Sequence, residues 1–99
     1  MIIVFGTARF PAQNVEKVLP AIETLIAAVR QEDGCIQYRF AEDLLDKGLI
    51  HISELWRDAE ALAAHGRQPH MLPWRDAAMT FGLHDMNLSV FDAANQRPL

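Results

Sequence analysis

Four side chains in one short piece of this chain are of the kinds that do chemistry: Glu54, Trp56, His65 and His70. They belong to Glu54-Leu55-Trp56-Arg57-Asp58-Ala59-Glu60-Ala61-Leu62-Ala63-Ala64-His65, continued by Pro69-His70. An imidazole exchanges a proton near neutral pH, which makes it the natural general base. A carboxylate can hold that imidazole or a ligand hydroxyl, and an indole offers a flat apolar wall with a single donor. Such a set describes the polar end of a small-molecule pocket. Each member also has a plainer use. Glu54 at a sheet rim can bind a backbone amide or a neighbouring arginine, Trp56 can pack as core, and His65 can bond the last carbonyls of a helix. His70 can cap a helix or meet a partner subunit.

The elements that must position them follow from periodicity and punctuation. Ile2 to Phe10 is rich in β-branched and aromatic residues and stops at Pro11, as a strand does. Asn14 is placed to cap a helix in which Val15, Val18, Leu19, Ile22, Leu25, Ile26 and Val29 form one apolar stripe, with Gly34 closing it beyond Asp33. Pro20 lies inside that pattern and predicts a kink or a delayed start. Cys35 to Glu42 and Leu49 to Trp56 read as two strands of a hairpin around Asp46-Lys47-Gly48. Asp58 caps a short helix over Ala59 to His65, closed by Gly66. A third helix opens either at Gln68-Pro69 or at Pro73, the latter leaving His70 in a turn, and Met86 to Phe91 forms the last strand. The order strand, helix, strand, strand, helix, strand predicts an α+β ferredoxin-like split βαβ sandwich: a four-stranded antiparallel sheet with helices on one face.

Strand alternation then sorts side chains onto two faces. The set meeting the helices is Val4, Gly6 and Ala8; Ile36, Tyr38 and Phe40; Ile50, Ile52, Glu54 and Trp56; Met86, Leu88 and Val90. Gly6 and Ala8 are small and leave room beneath the helices. Glu54 is the one carboxylate in this set, and an ionised group there is costly unless paired or wet. The other face carries Ile3, Phe5, Leu49, Leu55 and Phe91 among polar residues, more large apolar groups than a free sheet normally shows. Two copies packed sheet to sheet would bury them, so a homodimer through the open sheet face is expected.

Length and composition bound the rest. Ninety-nine residues make one domain, residues 1–94, with 95–99 as a loose tail. With 51% hydrophobic and 22% charged residues the chain is a folded globule rather than a disordered one. A net charge of −4 with both signs scattered, and no basic stripe, argues against nucleic acid or an anionic membrane as a partner. The single Cys35 excludes an internal disulfide and a cysteine zinc finger and suits a reducing compartment. The apolar start Met1-Ile2-Ile3-Val4-Phe5 is too short for a membrane span and lacks the basic beginning of a signal peptide, so a cytoplasmic location is expected.

The spacing Glu54-x-Trp56-x-Asp58-x-Glu60-Ala61-Leu62-x-x-His65, followed by His70, resembles the signature of antibiotic biosynthesis monooxygenase-like domains. Glu32-Asp33-Gly34-Cys35 followed by Tyr38 is similar to that family's turn after the first helix. The resemblance implies a dimeric α+β barrel with a pocket in each protomer between sheet and helices. It also implies oxygenation of a quinol-like or polyketide aromatic substrate by molecular oxygen, with no metal, flavin or haem cofactor. Under it, His65, His70 and Glu54 are the catalytic candidates, while Trp56, Tyr38, Phe40, Ile52 and Trp74 would contact the substrate. Haem-degrading relatives carry a tryptophan near the His65 position and an asparagine in the first strand, neither of which stands here.

Other uses of the same residues remain open. Both histidines with Glu54 could form a facial metal triad, though three separate elements supply them and nothing else favours a metal. A dimer of this fold could bind a small hydrophobic ligand, or serve in a stress response, without turnover. Isomerase or lyase chemistry on an unsaturated lactone or acid would keep the base and need no oxygen.

Overall fold

A computed structural model describes all 99 residues. Its elements are β1 (Ile2–Arg9), a 3-10 turn (Ala12–Asn14), α1 (Val15–Val29), β2 (Cys35–Glu42), β3 (Leu49–Trp56), α2 (Ala59–His65), α3 (Met71–Thr80) and β4 (His84–Asp92). The four strands form one antiparallel sheet in the order β2-β3-β1-β4 with the helices on one face, the ferredoxin-like arrangement, and the sheet of the single chain is open at both edges. No helix is long and apolar enough to cross a membrane.

Local chemistry accounts for most of the boundaries. Val18, Ile22, Leu25 and Val29 are the buried stripe of α1. Asn14 precedes α1 without capping it; its side-chain amide instead donates to the Phe81 carbonyl at 2.9 Å, tying the start of α1 to the end of α3. Helix α1 starts at Val15, directly after Asn14 and the 3-10 turn, and runs through Pro20 without a delayed start. At α2 the cap is as expected, Asp58 accepting from the Ala61 amide at 2.8 Å. Helix α3 adopts neither expected start: His70 is the residue at its N-terminal boundary and Pro73 lies in its first turn, where the missing N–H costs nothing.

Faces follow alternation along β3, where Ile50, Ile52, Glu54 and Trp56 are all buried. They depart from it on β2. Cys35 lies opposite Trp56 but Gln37 lies opposite Leu55, so one residue is bulged out of the ladder. The bulge turns Ile36 outward, 49% exposed, and leaves Cys35 packed against the core beside Trp56, the reverse of simple alternation. On β4, Val90 is 61% exposed although its partner Val4 is buried, because β4 is an edge strand. Gly6 serves a different end from the one expected: a Cβ there would lie 2.0 Å from the Asn87 carbonyl oxygen, so glycine lets the β4 backbone close in.

The core divides in two. Ile2, Val4, Leu25, Val29, Tyr38, Trp56 and Ala61 form one cluster, and Ala8, Phe10, Val18, Ile22, Ile50 and Ile52 form the other. Helix α1 lies against the sheet, whereas α3 packs chiefly on α1 and stands away from the strands. That separation leaves a hollow.

Candidate active site

The hollow between α3 and the sheet has a volume of about 570 Å³, and 13 of its 16 lining residues are hydrophobic, which makes it a ligand-sized apolar cavity. Its floor is Ala8, Ile50, Ile52 and Leu88 from the strands, its far wall Met71, Trp74 and Ala78 from α3, and its polar groups are Glu54, His65 and Arg75. Trp74 presents its ring edgewise to Phe40 and Phe10, at centroid distances of 5.7 and 6.4 Å. Tyr38 and Phe40 continue this aromatic lining, their rings 5.5 Å apart.

One end of the cavity is polar because of β3. Residues two apart on a strand share a face, so Glu54 and Trp56 lie side by side, and the Trp56 indole Nε1 donates to Glu54 Oε1 at 2.9 Å. Burial pushes the Glu54 carboxyl above the ordinary carboxylate range; the indole donor and His65 pull it down, and Glu32 pushes it up. The Tyr38 phenol is held well above its ordinary value, first by burial and then by the charges of Glu54 and Glu32. It is therefore a neutral donor at any working pH. His65 ends α2 with its ring 4.8 Å from Trp56 and 5.4 Å from Tyr38, 7% exposed and bordering the cavity.

His65 is held there by a residue that the strand pattern does not reveal. Glu32, in the turn between α1 and β2, accepts from His65 Nδ1 at 2.9 Å and from His70 Nε2 at 2.7 Å, through the same oxygen. The turn brings Glu32 close because Gly34 has φ +84° and lies so near α2 that a Cβ would meet Ala61 Cβ at 2.5 Å. Arg57 fastens the same corner, bonding Asp33 with both terminal nitrogens at 3.1 and 3.2 Å and Asp58 through Nε at 3.1 Å. The sole sequence signal for Glu32 was its place in the Glu32-x-Gly34-Cys35 turn; nothing in the local pattern says that the carboxylate turns inward.

These contacts change the grouping expected from sequence. The carboxylate that meets both histidines is Glu32, not Glu54. Glu54, His65, Tyr38, Phe40, Ile52 and Trp74 all line the cavity, whereas Trp56 is fully buried behind Glu54 and His70 borders a separate groove between α1 and α3. Glu32, His65 and His70 have donor atoms within 4.8 Å of one another. Ligands of one tetrahedral zinc, with bonds near 2.0 Å, would stand about 3.3 Å apart. The closeness of Glu32 to both rings, at 2.7 and 2.9 Å, is that of charge-assisted hydrogen bonds.

Fold and site together define a ferredoxin-like α+β domain with an apolar cavity closed at one end by a carboxylate and an imidazole. The family model for antibiotic biosynthesis monooxygenases matches residues 1–77, and the chain belongs to that family. A crystal structure of a Deinococcus radiodurans protein named for this family superposes with a TM-score of 0.90 over 100% of this chain and 98% of that one, at 27% identity. A conserved Bacteroides thetaiotaomicron protein of unknown function is 31% identical, with a TM-score of 0.79 over 91% of this chain and 94% of its own. An uncharacterised Synechocystis protein is 32% identical over 69 residues, which are 70% of this chain and 47% of that protein, so the match spans about half of the relative's length.

Proposed function

We propose that this protein is a cofactor-independent monooxygenase acting on a quinol-like or polyketide aromatic substrate. The single observation that carries this is an apolar, aromatic-lined cavity whose one polar end is made by Glu54 and His65. A phenol or anthrone seated there gives a proton to the imidazole, and its electron-rich anion passes electrons to molecular oxygen. One oxygen atom ends on the substrate carbon as a carbonyl; the other leaves as water with the two hydrogens lost from the substrate. The chain's part is to take the proton at His65, hold the anion against the Tyr38 hydroxyl, and keep bulk water out. Glu54 relays that proton: it accepts it from the His65 imidazolium and returns it to the departing oxygen, a transfer that its burial favours by opposing the carboxylate's charge. His70, outside the cavity, does not touch the substrate.

Oxygen consumption with a panel of quinols and anthrones tests this. A rate should appear and fall about 10²- to 10⁴-fold on His65→Gln. Silence across the panel, together with ligand-dependent thermal stabilisation, would favour binding without turnover, which the largely apolar lining also fits.

A homodimer belongs to the same proposal. On the sheet face away from the helices, Ile3 lies between Leu55 and Phe91, and Phe5 and Phe91 are 58% and 50% exposed. A second copy covers this patch, and light scattering should give twice the mass of the 11.2 kDa chain. Phe5→Glu should halve it; a monomeric wild type would refute the pairing.

A further inference from the structure

We propose that Glu32 is the positioning residue of the base: it fixes His65 with the proton on Nδ1 and the lone pair of Nε2 turned to the cavity, and it takes His70 as the second donor to its buried carboxylate. This rests on the assignment of His65 as the cavity base. The grounds are geometric. The Glu32 side chain is only 6% exposed, so a carboxylate there needs donors for its charge. It finds two, one from each neighbouring helix: His65 from α2 and His70 from the start of α3. A carboxylate accepts and cannot donate, so each imidazole must place its proton on the nitrogen that faces Glu32.

For His65 that nitrogen is Nδ1, which leaves Nε2 bare; for His70 it is Nε2, which leaves Nδ1 bare. The two rings are therefore locked in opposite tautomers by one oxygen atom. The lock also explains why two histidines are present when one reaches the cavity. His65 borders the cavity, whereas His70 is 26% exposed and borders the α1–α3 groove. When His65 accepts a proton at Nε2, the imidazolium forms beside the Glu32 charge, which stabilises it. Glu32 and His70 never touch substrate; they act through His65.

The test needs no substrate. In the ¹⁵N-labelled full-length protein at a pH where the rings are neutral, long-range ¹H–¹⁵N spectra distinguish the two tautomers of each histidine. His65→Gln and His70→Gln identify the signals by their disappearance. The expected result is His65 as the Nδ1–H form and His70 as the Nε2–H form, neither averaged. In Glu32→Gln the uncharged amide is a weaker acceptor, and with its oxygen in the shared position its NH2 replaces Oε1, 3.2 Å from His65 Nδ1, setting donor against donor. At least one ring should therefore shift toward the tautomer-averaged values. A wild-type His65 in the Nε2–H form, or spectra unmoved by Glu32→Gln in a protein of unchanged far-ultraviolet circular dichroism, overturns the proposal whether or not any substrate is turned over. Where oxygen uptake is found, Glu32→Gln should lower kcat by one to two orders of magnitude and leave KM within about threefold, as loss of an orienting partner does. Absence of oxygen uptake with the tautomers as stated would count against the monooxygenase assignment alone.

Discussion

Glu32 and Glu54 are the same residue type, and both are nearly withdrawn from water, yet their surroundings differ in kind. Glu32 receives two imidazole donors from elements distant in sequence. Glu54 receives one hydrogen bond, from the indole two residues along its own strand, and otherwise faces the cavity. The difference separates a carboxylate whose charge is satisfied by the fold from one whose acceptor capacity is left over. A satisfied buried carboxylate is part of the architecture, and removing it strands its partners. An under-satisfied one is costly to keep ionised, and that cost is tolerated where a ligand or a proton is meant to arrive.

The largest expected effect comes from breaking the first of the two. Glu32→Ala leaves the Nδ1 proton of His65 and the Nε2 proton of His70 without their acceptor, and unfastens the turn after α1 from both α2 and α3. A loss of about 3 kcal/mol is expected from stranding buried polar partners. Urea unfolding followed by circular dichroism should show the midpoint falling with little change of slope. A loss below about 1 kcal/mol would mean that water or a rearranged turn takes over the acceptor role, and the distinction between the two glutamates would lose its first half.

That same distinction governs what was legible in the sequence. Glu54 stood out because alternation along β3 is local: a carboxylate between Ile52 and Trp56 on an apolar face is visible without any tertiary knowledge. So were the elements themselves, down to the Asp58 cap and the limits of β2, β3 and α2. Glu32 was hidden because its environment is made by three elements meeting, α2 and α3 closing over the turn after α1, and no periodicity encodes such a meeting. His70 was drawn into the cavity by its nearness in sequence to His65, whereas the start of α3 turns it to the far side of Glu32. Ile36 was misplaced for a related reason. A one-residue bulge at the start of β2 reverses the faces of Cys35 and Ile36 while Tyr38 and Phe40 beyond it keep theirs, and nothing in Cys35-Ile36-Gln37 announces the extra residue. Within the site, the side chains set by strand alternation were readable, and so were His65 and Trp74 on the helices; the meeting of Glu32 with both histidines was not.

The second half of the comparison is tested by a smaller effect of opposite sign. Glu54→Gln keeps the oxygen that accepts from Trp56 Nε1 and removes the charge that burial opposes, so at neutral pH it should stabilise the protein, by well under the ~3 kcal/mol lost in Glu32→Ala. The gain must depend on pH in one direction. Burial raises the folded-state pKa of Glu54 above the ordinary value of 4.5. Below 4.5 the side chain is protonated in both folded and unfolded chains, and its favourable share of stability is complete. As pH rises through the raised value, the unfolded chain has already lost its proton while the folded one must still give it up, and that share is lost. Wild-type stability should therefore fall relative to Glu54→Gln as pH climbs from 4.5, and the two should run parallel once the folded-state carboxyl is ionised. Matched urea titrations of the two proteins across pH 4–8 would show it. A difference that stays flat, or that grows in favour of the wild type, would place Glu54 among satisfied carboxylates like Glu32 and remove its role as the proton-returning group of the cavity.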